Sequence, residues 1–418
     1  MSPTTSPDSG YATSELSLLL VAEQLKRSAS GGIGTYAYQL IRACALNGPV
    51  PLVVTSKGPL AKKLKLPPGV ERLTTPVGHR TTGWLWERDK LRLADPTTTA
   101  TVNSAQTHRA QTNSAQTYSA QTYRAQTNRA QTVIHATSFH FPSPHRGQKL
   151  TVLVHDLAWL NDRQLLNARG AAFHDRGLKR TNHLASAILV PSRRTADALM
   201  QHGFDGKRIT VVGEGADHLP DPDPSRPDPV HPYFISVSTI EPRKNLPRLI
   251  AAYEALREEL RASTPDLRVV GPKGWGSTEL KPVQGVSFLG RMTEQELANH
   301  LGDAVALVYV PLEEGFGLPP VEAMRVGVPV ICSDTVPSVT EPDVDDPRPW
   351  RDNAMAPALI VNATDTAAIM VAMRTLASSE QAREDIARRA LEAVQPRTWV
   401  RVAERHHNVW RETCRGPR

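Results

Sequence analysis

The chain has 418 residues, more than one hydrophobic core organises, so two domains of roughly 200 residues each are expected. Apolar residues make up 40% of it, and 49 Lys and Arg against 42 Asp and Glu leave a net charge of +7. That balance suits an acidic partner (a sugar nucleotide, a polyphosphate, an anionic membrane face or nucleic acid) without choosing among them. Cys44, Cys332 and Cys414 are too far apart for a CxxC pair, which argues against a disulfide framework or a zinc site and fits a reducing compartment. No run of about 18 apolar residues is present to span a membrane. The polar residues 1–10 lack the charged start and apolar stretch of a secretory signal.

In chain order, Leu16–Ala22 reads as a buried parallel strand, followed by a loop ending in Gly31-Gly-Ile-Gly34 and a helix over Thr35–Leu46. Strands are expected at Pro51–Thr55, Thr132–His135, Leu150–His155, Ser186–Val190 and Ile209–Val212, with helical segments between several of them. Five prolines in Pro220–Pro229 exclude a helix or central strand and mark an interdomain linker. Beyond it the alternation restarts. Strands fall at Tyr233–Val237, Leu267–Val270, Val286–Leu289, Ala304–Val310 and Val328–Cys332. Helices fall at Leu246–Leu260, near Thr293–Leu301 and from about Pro320 to Arg325, and a last helix covers Trp399–Cys414. Cys332, inside a strand, reads as a packed core thiol. Strands alternating with helices imply an α/β chain with parallel, doubly wound, Rossmann-like sheets. The expected domains are 1–228, 229–398 and a terminal helix, 399–418.

From Ala105 to Thr132 the unit Ala-Gln-Thr-x-x repeats every five residues, a period of neither helix nor strand. With almost no aliphatic content it cannot offset the entropy of ordering by burial, so a disordered insertion at about 100–132 is expected. The alternative is a binding arm carrying Arg109, Arg124 and Arg129.

The most informative stretch is Glu313-Glu-Gly-Phe-Gly-Leu-Pro-Pro-Val-Glu-Ala-Met324, after the apolar strand ending at Val310. Gly315 and Gly317 let the backbone turn tightly and approach a ligand, and Pro319 and Pro320 fit the first turn of a helix. Glu314 then lies on a strand-to-helix loop and Glu322 in the first helical turn. The free N–H groups of that helix suit a diphosphate, with carboxylates beside it for hydroxyls. A capped helix would explain Glu322 alone, but not Gly-Phe-Gly and two prolines between two carboxylates.

Glu314-Gly-Phe-Gly-Leu-Pro-Pro-Val-Glu322 resembles the E-x7-E motif of retaining glycosyltransferases of family 4, which have the two-domain GT-B fold. Thr239-Ile-Glu-Pro-Arg-Lys-Asn-Leu246 resembles their phosphate loop, and Val286-Ser-Phe-Leu-Gly290 their nucleobase-contacting strand end. Gly31-Gly-Ile-Gly-Thr-Tyr36 resembles their glycine loop, Leu153-Val-His-Asp156 their cleft histidine segment and Pro191-Ser192 their serine motif. The matches run in order from about residue 15 to about 340. Two segments depart from the pattern: Gly213-Glu-Gly-Ala-Asp217 replaces the usual Asn-Gly segment, and no glycine-rich continuation follows Glu341.

The resemblance implies two domains facing across a cleft, with the last helix crossing back to the first. It places Glu322 on the ribose hydroxyls and Glu314 beside the donor sugar. The Gly315, Phe316, Gly317 and Leu318 segment and Gly290 lie against the nucleotide sugar, and Arg243 and Lys244 on its diphosphate. His155 lies near the reaction centre and Gly32 beside the phosphates or acceptor. Such cations stabilise the charge that develops on the leaving diphosphate. A solvated basic turn and a structural histidine are the other readings of Arg243-Lys244 and of His155.

A dehydrogenase would need a third glycine where Ala37 stands and an acidic residue after the second strand, where Thr55-Ser-Lys-Gly stands. Asp221-Pro-Asp223 and Asp343-Val-Asp345 have the letters of a metal-binding Asp-x-Asp motif but lie in proline-rich stretches, so no metal is expected. No cofactor is expected either, the sugar nucleotide being the donor substrate. The resemblance implies retention by front-face substitution, with mannose from GDP-mannose as the first choice of donor and UDP-sugars as the alternative. The acceptor is a glycan or lipid-linked oligosaccharide of envelope polysaccharide synthesis. Nucleic acid is not an expected partner. A cytoplasmic protein docking loosely at the inner membrane surface is expected, and a nucleotide-sugar-binding protein without turnover is the other class.

Overall fold

A computed structural model describes residues 16–26, 31–59, 61, 64–93, 131–163, 168–274, 280–345 and 356–415. Two all-parallel sheets organise them. The first has β1 (Leu16–Val21), β2 (Leu52–Lys57), β3 (Arg72–Gly78), β4 (Gln131–Ala136), β5 (Lys149–Leu153), β6 (Ala187–Val190) and β7 (Ile209–Val211), in the order β3-β2-β1-β4-β5-β6-β7. The second has β8 (Tyr233–Val237), β9 (Asp266–Val270), β10 (Val286–Gly290), β11 (Ala306–Tyr309), β12 (Val330–Ser333) and β13 (Leu359–Val361), in the order β10-β9-β8-β11-β12-β13. Leu18 to Val21 are all buried because a parallel strand is covered on both faces. In register, Leu19 pairs with Leu52 on one side and Ile134 on the other. The order reverses beside β1 and beside β8, and an open α/β sheet has its ligand crevice at such reversals.

One apolar layer runs through both halves. It joins Leu18, Tyr36 and Val133 to Tyr233, Leu307, Phe316, Trp399 and Trp410. The Trp399–Arg415 helix packs on the Gly31–Asn47 helix of the first sheet. There His406 donates through Nδ1 to the Val402 carbonyl (2.8 Å) and accepts the Tyr36 hydroxyl at Nε2 (3.1 Å). No described helix is long and apolar enough to cross a membrane.

Several expectations are corrected. Gly31-Gly-Ile-Gly34 is not a loop: Gly31, at φ +57°, opens the Gly31–Asn47 helix itself. The glycine excess lowered the helical signal, and the packed layer beneath overrode it. The strand before His155 stops at Leu153. The Leu318–Arg325 helix starts two residues earlier than read. Strands β3 and β13 escaped the sequence reading because β3 is a half-exposed edge strand containing Pro76 and β13 has three residues. Of the Ala-Gln-Thr repeat, Gln131 and Thr132 begin β4, and the rest lies outside the described residues. The Pro220–Pro229 stretch lies between the two sheets, its Asp223 amide bonded to Asn299 Oδ1 (2.9 Å).

Candidate active site

The second sheet supplies the charged floor. After β8 the chain makes a short turn, Pro242–Lys244, and Asn245, in the left-handed region at φ 59°, opens the Leu246–Leu260 helix. The buried Asn245 amide donates to the Val310 (2.9 Å) and Ala363 (2.7 Å) carbonyls, and the Leu312 amide donates to the Arg243 carbonyl (2.9 Å). The basic turn is thereby fastened to the loop that follows β11. On that loop Glu314 accepts from Arg243 Nη1 (3.1 Å), Lys244 Nζ (2.5 Å) and the Tyr309 hydroxyl (2.6 Å). Lys244 also donates to the Tyr309 oxygen (2.8 Å), and Arg243 to the Glu313 carbonyl (3.0 Å).

Burial alone would raise the Glu314 carboxyl. The adjacent Lys244 and Arg243 charges and the donated hydrogen bonds outweigh it and hold Glu314 well below the carboxylate range. Lys244 is drawn down by burial and by Arg243, against the pull of Glu314. Burial opposes the Arg243 charge too, but Glu314, Asp156 and Glu241 prevail. The solvated-turn reading of Arg243-Lys244 therefore fails: both cations are largely enclosed, their side chains 18% and 11% exposed.

Gly317, at φ +98°, is the N-cap of the Leu318–Arg325 helix, and a β-carbon there would meet Val336 Cγ1 at 2.5 Å. Phe316 and Leu318 are buried on either side. Glu322 points elsewhere than expected. Instead of facing Arg243 and Lys244, it accepts from buried His218 Nε2 at 2.9 Å. Trp399 Nε1 donates to His218 Nδ1 (3.3 Å), which keeps the imidazole proton on the Glu322 side. Thus three of the four expected side chains form one cluster, and the fourth is held by a histidine from the end of the first half of the chain. Gly290, at φ +69°, ends edge strand β10 with open space where a β-carbon would stand, and Phe288 and Leu289 beside it are exposed.

The first sheet closes over this floor. A β-carbon on Gly315 would lie 1.9 Å from the His155 carbonyl oxygen and 2.8 Å from Asp156 Cβ, so only glycine permits the approach. One on Gly32 would lie 3.6 Å from Leu318 Cδ1. The first turns of two helices, one from each half, therefore adjoin, and both bring free N–H groups to the same cleft. His155 donates through Nε2 to the Thr137 carbonyl (3.0 Å) and stands edge-on to Tyr36. Burial lowers its pKa despite that bond, so the ring is neutral near pH 7. Glu341 spans the halves by accepting from the backbone amides of Arg193 (2.7 Å) and Arg194 (2.8 Å) at a helix start. Glu313 accepts from Arg194 Nη2 (3.0 Å).

Beside His155 and Asp156 lies a cavity of about 360 Å³ lined also by Gln24, Ile33, Phe139 and Phe173. Glu23, His79 and His140 on its rim are the one group among the described residues placed to share a metal ion, their ligand atoms within 4.8 Å. Lys26 Nζ stands 3.3 Å from the same Glu23 carboxylate, which already accepts from His79 and Ser56. Asp343 and Asp345, with the letters of a metal motif, are engaged by Arg405 at 3.0 and 2.5 Å. Tyr309, His218 and Asp156 were not singled out in the sequence. Tyr309 was hidden in an apolar strand, and His218 follows a segment with no periodic signal.

The family model described as Glycosyltransferase Family 4 matches residues 30–218, and that described as Glycosyl transferases group 1 matches residues 221–392. The chain is 28% identical over 218 residues to O-antigen chain mannosyltransferase B of Escherichia coli, covering 48% of this chain and 56% of that one. It is 27% identical over 164 residues to O-antigen chain mannosyltransferase RfbU of Salmonella typhimurium, covering 38% and 43%. The matches thus span about half the length of these curated relatives. Among solved structures, HepE of Anabaena, in complex with UDP and glucose, superposes with a TM-score of 0.62 at 14% identity over 94% of this chain and 98% of that one. WaaG, a glycosyltransferase involved in lipopolysaccharide biosynthesis, does so with 0.57 at 13% identity over 94% and 98%. With one family model on each doubly wound half and GT-B structures matching nearly its whole length, the chain belongs to the family 4-like, group 1 glycosyltransferases of GT-B fold.

Proposed function

We propose that the protein transfers mannose from GDP-mannose to a glycan or lipid-linked acceptor of an envelope polysaccharide, with retention of configuration and without a metal. The observation that carries this reading is the Arg243–Lys244–Glu314 cluster, set at the carboxyl ends of β8 and β11 beneath two adjoining helix starts. The cluster has a net charge of +1, and the two helix N-termini add partial positive charge where a diphosphate would leave. Arg243 offers a planar fork and Lys244 a point charge, and Glu314, fully ionised, keeps both cations in place before substrate arrives. Glu314, the carboxylate at the sugar end, is tied up by Arg243, Lys244 and Tyr309 and is not free as a nucleophile, which suits front-face substitution, the leaving diphosphate taking the acceptor proton. Neutral His155, with Nε2 committed to Thr137, has Nδ1 as an acceptor for a sugar or acceptor hydroxyl. The 360 Å³ cavity beside it suits the acceptor. Mannose is supported by the O-antigen relatives, and absence of a metal requirement by the fixed cations.

A thermal-shift screen with GDP-mannose, UDP-glucose, GDP and UDP, followed by transfer assays, tests this. GDP-mannose is expected to raise the melting temperature most and to give an α-linked product, with activity unchanged by a chelator. A β-linked product refutes retention. Activity abolished by chelation and restored by a divalent metal refutes metal independence. Preference for UDP-glucose replaces the donor, and binding without turnover by wild type leaves a nucleotide-sugar-binding protein.

A further inference from the structure

The segment Gly213-Glu-Gly-Ala-Asp217, where the family pattern has Asn-Gly, is clamped between the halves of the molecule. A β-carbon on Gly215 would lie 2.5 Å from the Trp399 backbone nitrogen. The Ala216 amide donates to the Arg397 carbonyl (2.8 Å), and the Trp399 amide to Asp217 Oδ1 (2.8 Å). The next residue, His218, holds Glu322. Glu214 thus sits on a rigid support, with 6% of its surface exposed. Its carboxyl makes no hydrogen bond to any described residue, and no basic side chain is paired with it. The ionisable groups that reach it are Glu314 and Glu322 from the second sheet and Tyr36 from the helix on the first. His218 and Asp217 flank it on its own segment, Arg405 lies against neighbouring Gly213, and Glu322 occupies His218.

Burial, followed by the charges of Glu314 and Glu322, pushes the Glu214 carboxyl well above its ordinary range. An ionised Glu214 would place a third negative charge against two others and against an incoming diphosphate. A protonated one is a neutral group whose O–H donor finds no acceptor among the described residues, so it is available to a ligand. In the proposed complex Glu314 lies at the sugar end of the donor and Glu322 at the ribose end. The group joining those ends is the diphosphate, so a side chain close to both glutamates faces it.

We propose that Glu214, carrying its proton, donates a hydrogen bond to a diphosphate oxygen of the bound sugar nucleotide. The inference rests on the sugar-nucleotide reading of the cleft. A carboxylic acid donating a hydrogen bond to an anionic oxygen makes a short, strong bond. Nucleotide binding is then pH-dependent: ionisation of Glu214 removes the donor and adds a repelling charge.

The test uses GDP as the probe, by titration calorimetry on the full chain from pH 6 to 9, with wild type, Glu214→Gln and Glu214→Ala. Ionisation of GDP and of Lys244 is common to all three and cancels in the ratios. The Gln variant keeps a neutral donor of the same shape and is expected to match wild type at pH 6 and to bind at least about tenfold more tightly at pH 9. The Ala variant is expected to bind about tenfold more weakly than Gln throughout. GMP, lacking the second phosphate, is expected not to separate Gln from Ala. A readout free of ligand accompanies these: Glu214→Gln is expected to melt above wild type at pH 8 and not at pH 4.5, because only wild type must hold its proton against the solvent. A Gln-to-wild-type affinity ratio that does not change with pH, or an Ala variant that binds GDP as wild type does at pH 6, overturns the role of Glu214. Failure of wild type to bind GDP, UDP or their sugars overturns the reading of the cleft, and the role of Glu214 with it.

Discussion

Replacing Gly315 by Ala asks whether the two halves must touch for transfer to occur. The added methyl would start 1.9 Å from the His155 carbonyl oxygen and 2.8 Å from Asp156 Cβ, whereas real β-carbons essentially never come within 3.0 Å of another heavy atom. The obstacle is backbone, and Val154 just before it is held by its bond to Leu189 (2.9 Å), so no rotamer change relieves the clash. The cleft must open by about 1 Å. A misplacement of that size costs on the order of 100-fold in rate, or about 2.7 kcal/mol of transition-state stabilisation. The contacts proposed between the nucleotide and Arg243, Lys244 and Gly290 lie within the second half and stay intact. The expected result for Gly315→Ala is therefore a kcat for GDP-mannose transfer lower by about 100-fold, with the Kd for GDP raised by no more than the roughly tenfold that Glu214, across the cleft, supplies. Steady-state kinetics paired with calorimetry separate the two. A variant with wild-type kcat, or one whose defect lies wholly in GDP binding, refutes the idea that this contact assembles the site.

Other outcomes follow from the same geometry. Glu314→Ala leaves Arg243 and Lys244 enclosed without their counter-charge and is expected to lower unfolding stability by about 3–5 kcal/mol in urea titrations, with transfer lost. Trp399→Ala removes a ring that stands edge-on to Tyr36 and frees His218. A stability loss of about 3–5 kcal/mol and weaker GDP binding through a loosened Glu322 are expected, while Trp399→Phe keeps the packing and loses only the indole bond. His406 is pushed by burial from the ordinary 6.5 down to about 4, and His135 and His155 are lowered too, again first by burial. Below pH 6.5 the unfolded chain therefore takes up protons that the folded chain refuses. The contribution of these histidines to stability is whole above about 6.5 and falls toward pH 4, His406 alone accounting for about 3 kcal/mol. Melting temperature measured against pH checks this, and His406→Gln is expected to flatten the acid limb.

Much of the architecture was legible because it rests on buried runs. Leu16–Val21, Tyr233–Val237 and Ala306–Tyr309 are apolar on both faces, and a central parallel strand has no other composition. The Glu314–Glu322 stretch was legible for a different reason: glycines and prolines at fixed offsets record backbone demands that only a strand-to-helix turn makes. What stayed hidden depended on partners distant in sequence. Nothing near Glu322 foretells His218, 104 positions away, and nothing in Gly31–Gly34 says that the helix it opens will pack, from Tyr36 on, against the Trp399–Arg415 helix. Edge strand β3 carries a proline and little burial, so local pattern was silent where tertiary pairing decides.

The packing of the Trp399–Arg415 helix has a consequence for biosynthesis. His135 in β4 and Tyr36 lie against His406 and Trp410, so one wall of the first sheet is built from residues translated some two hundred positions after its last strand. A ribosome that has released residues 16–211 has released every strand of that sheet but not its lid, and the apolar face over Tyr36 and Val133 stays bare while the second sheet is made. The amino-terminal half must therefore wait, partly wet, for some two hundred further residues, which is the interval in which a chaperone would find it.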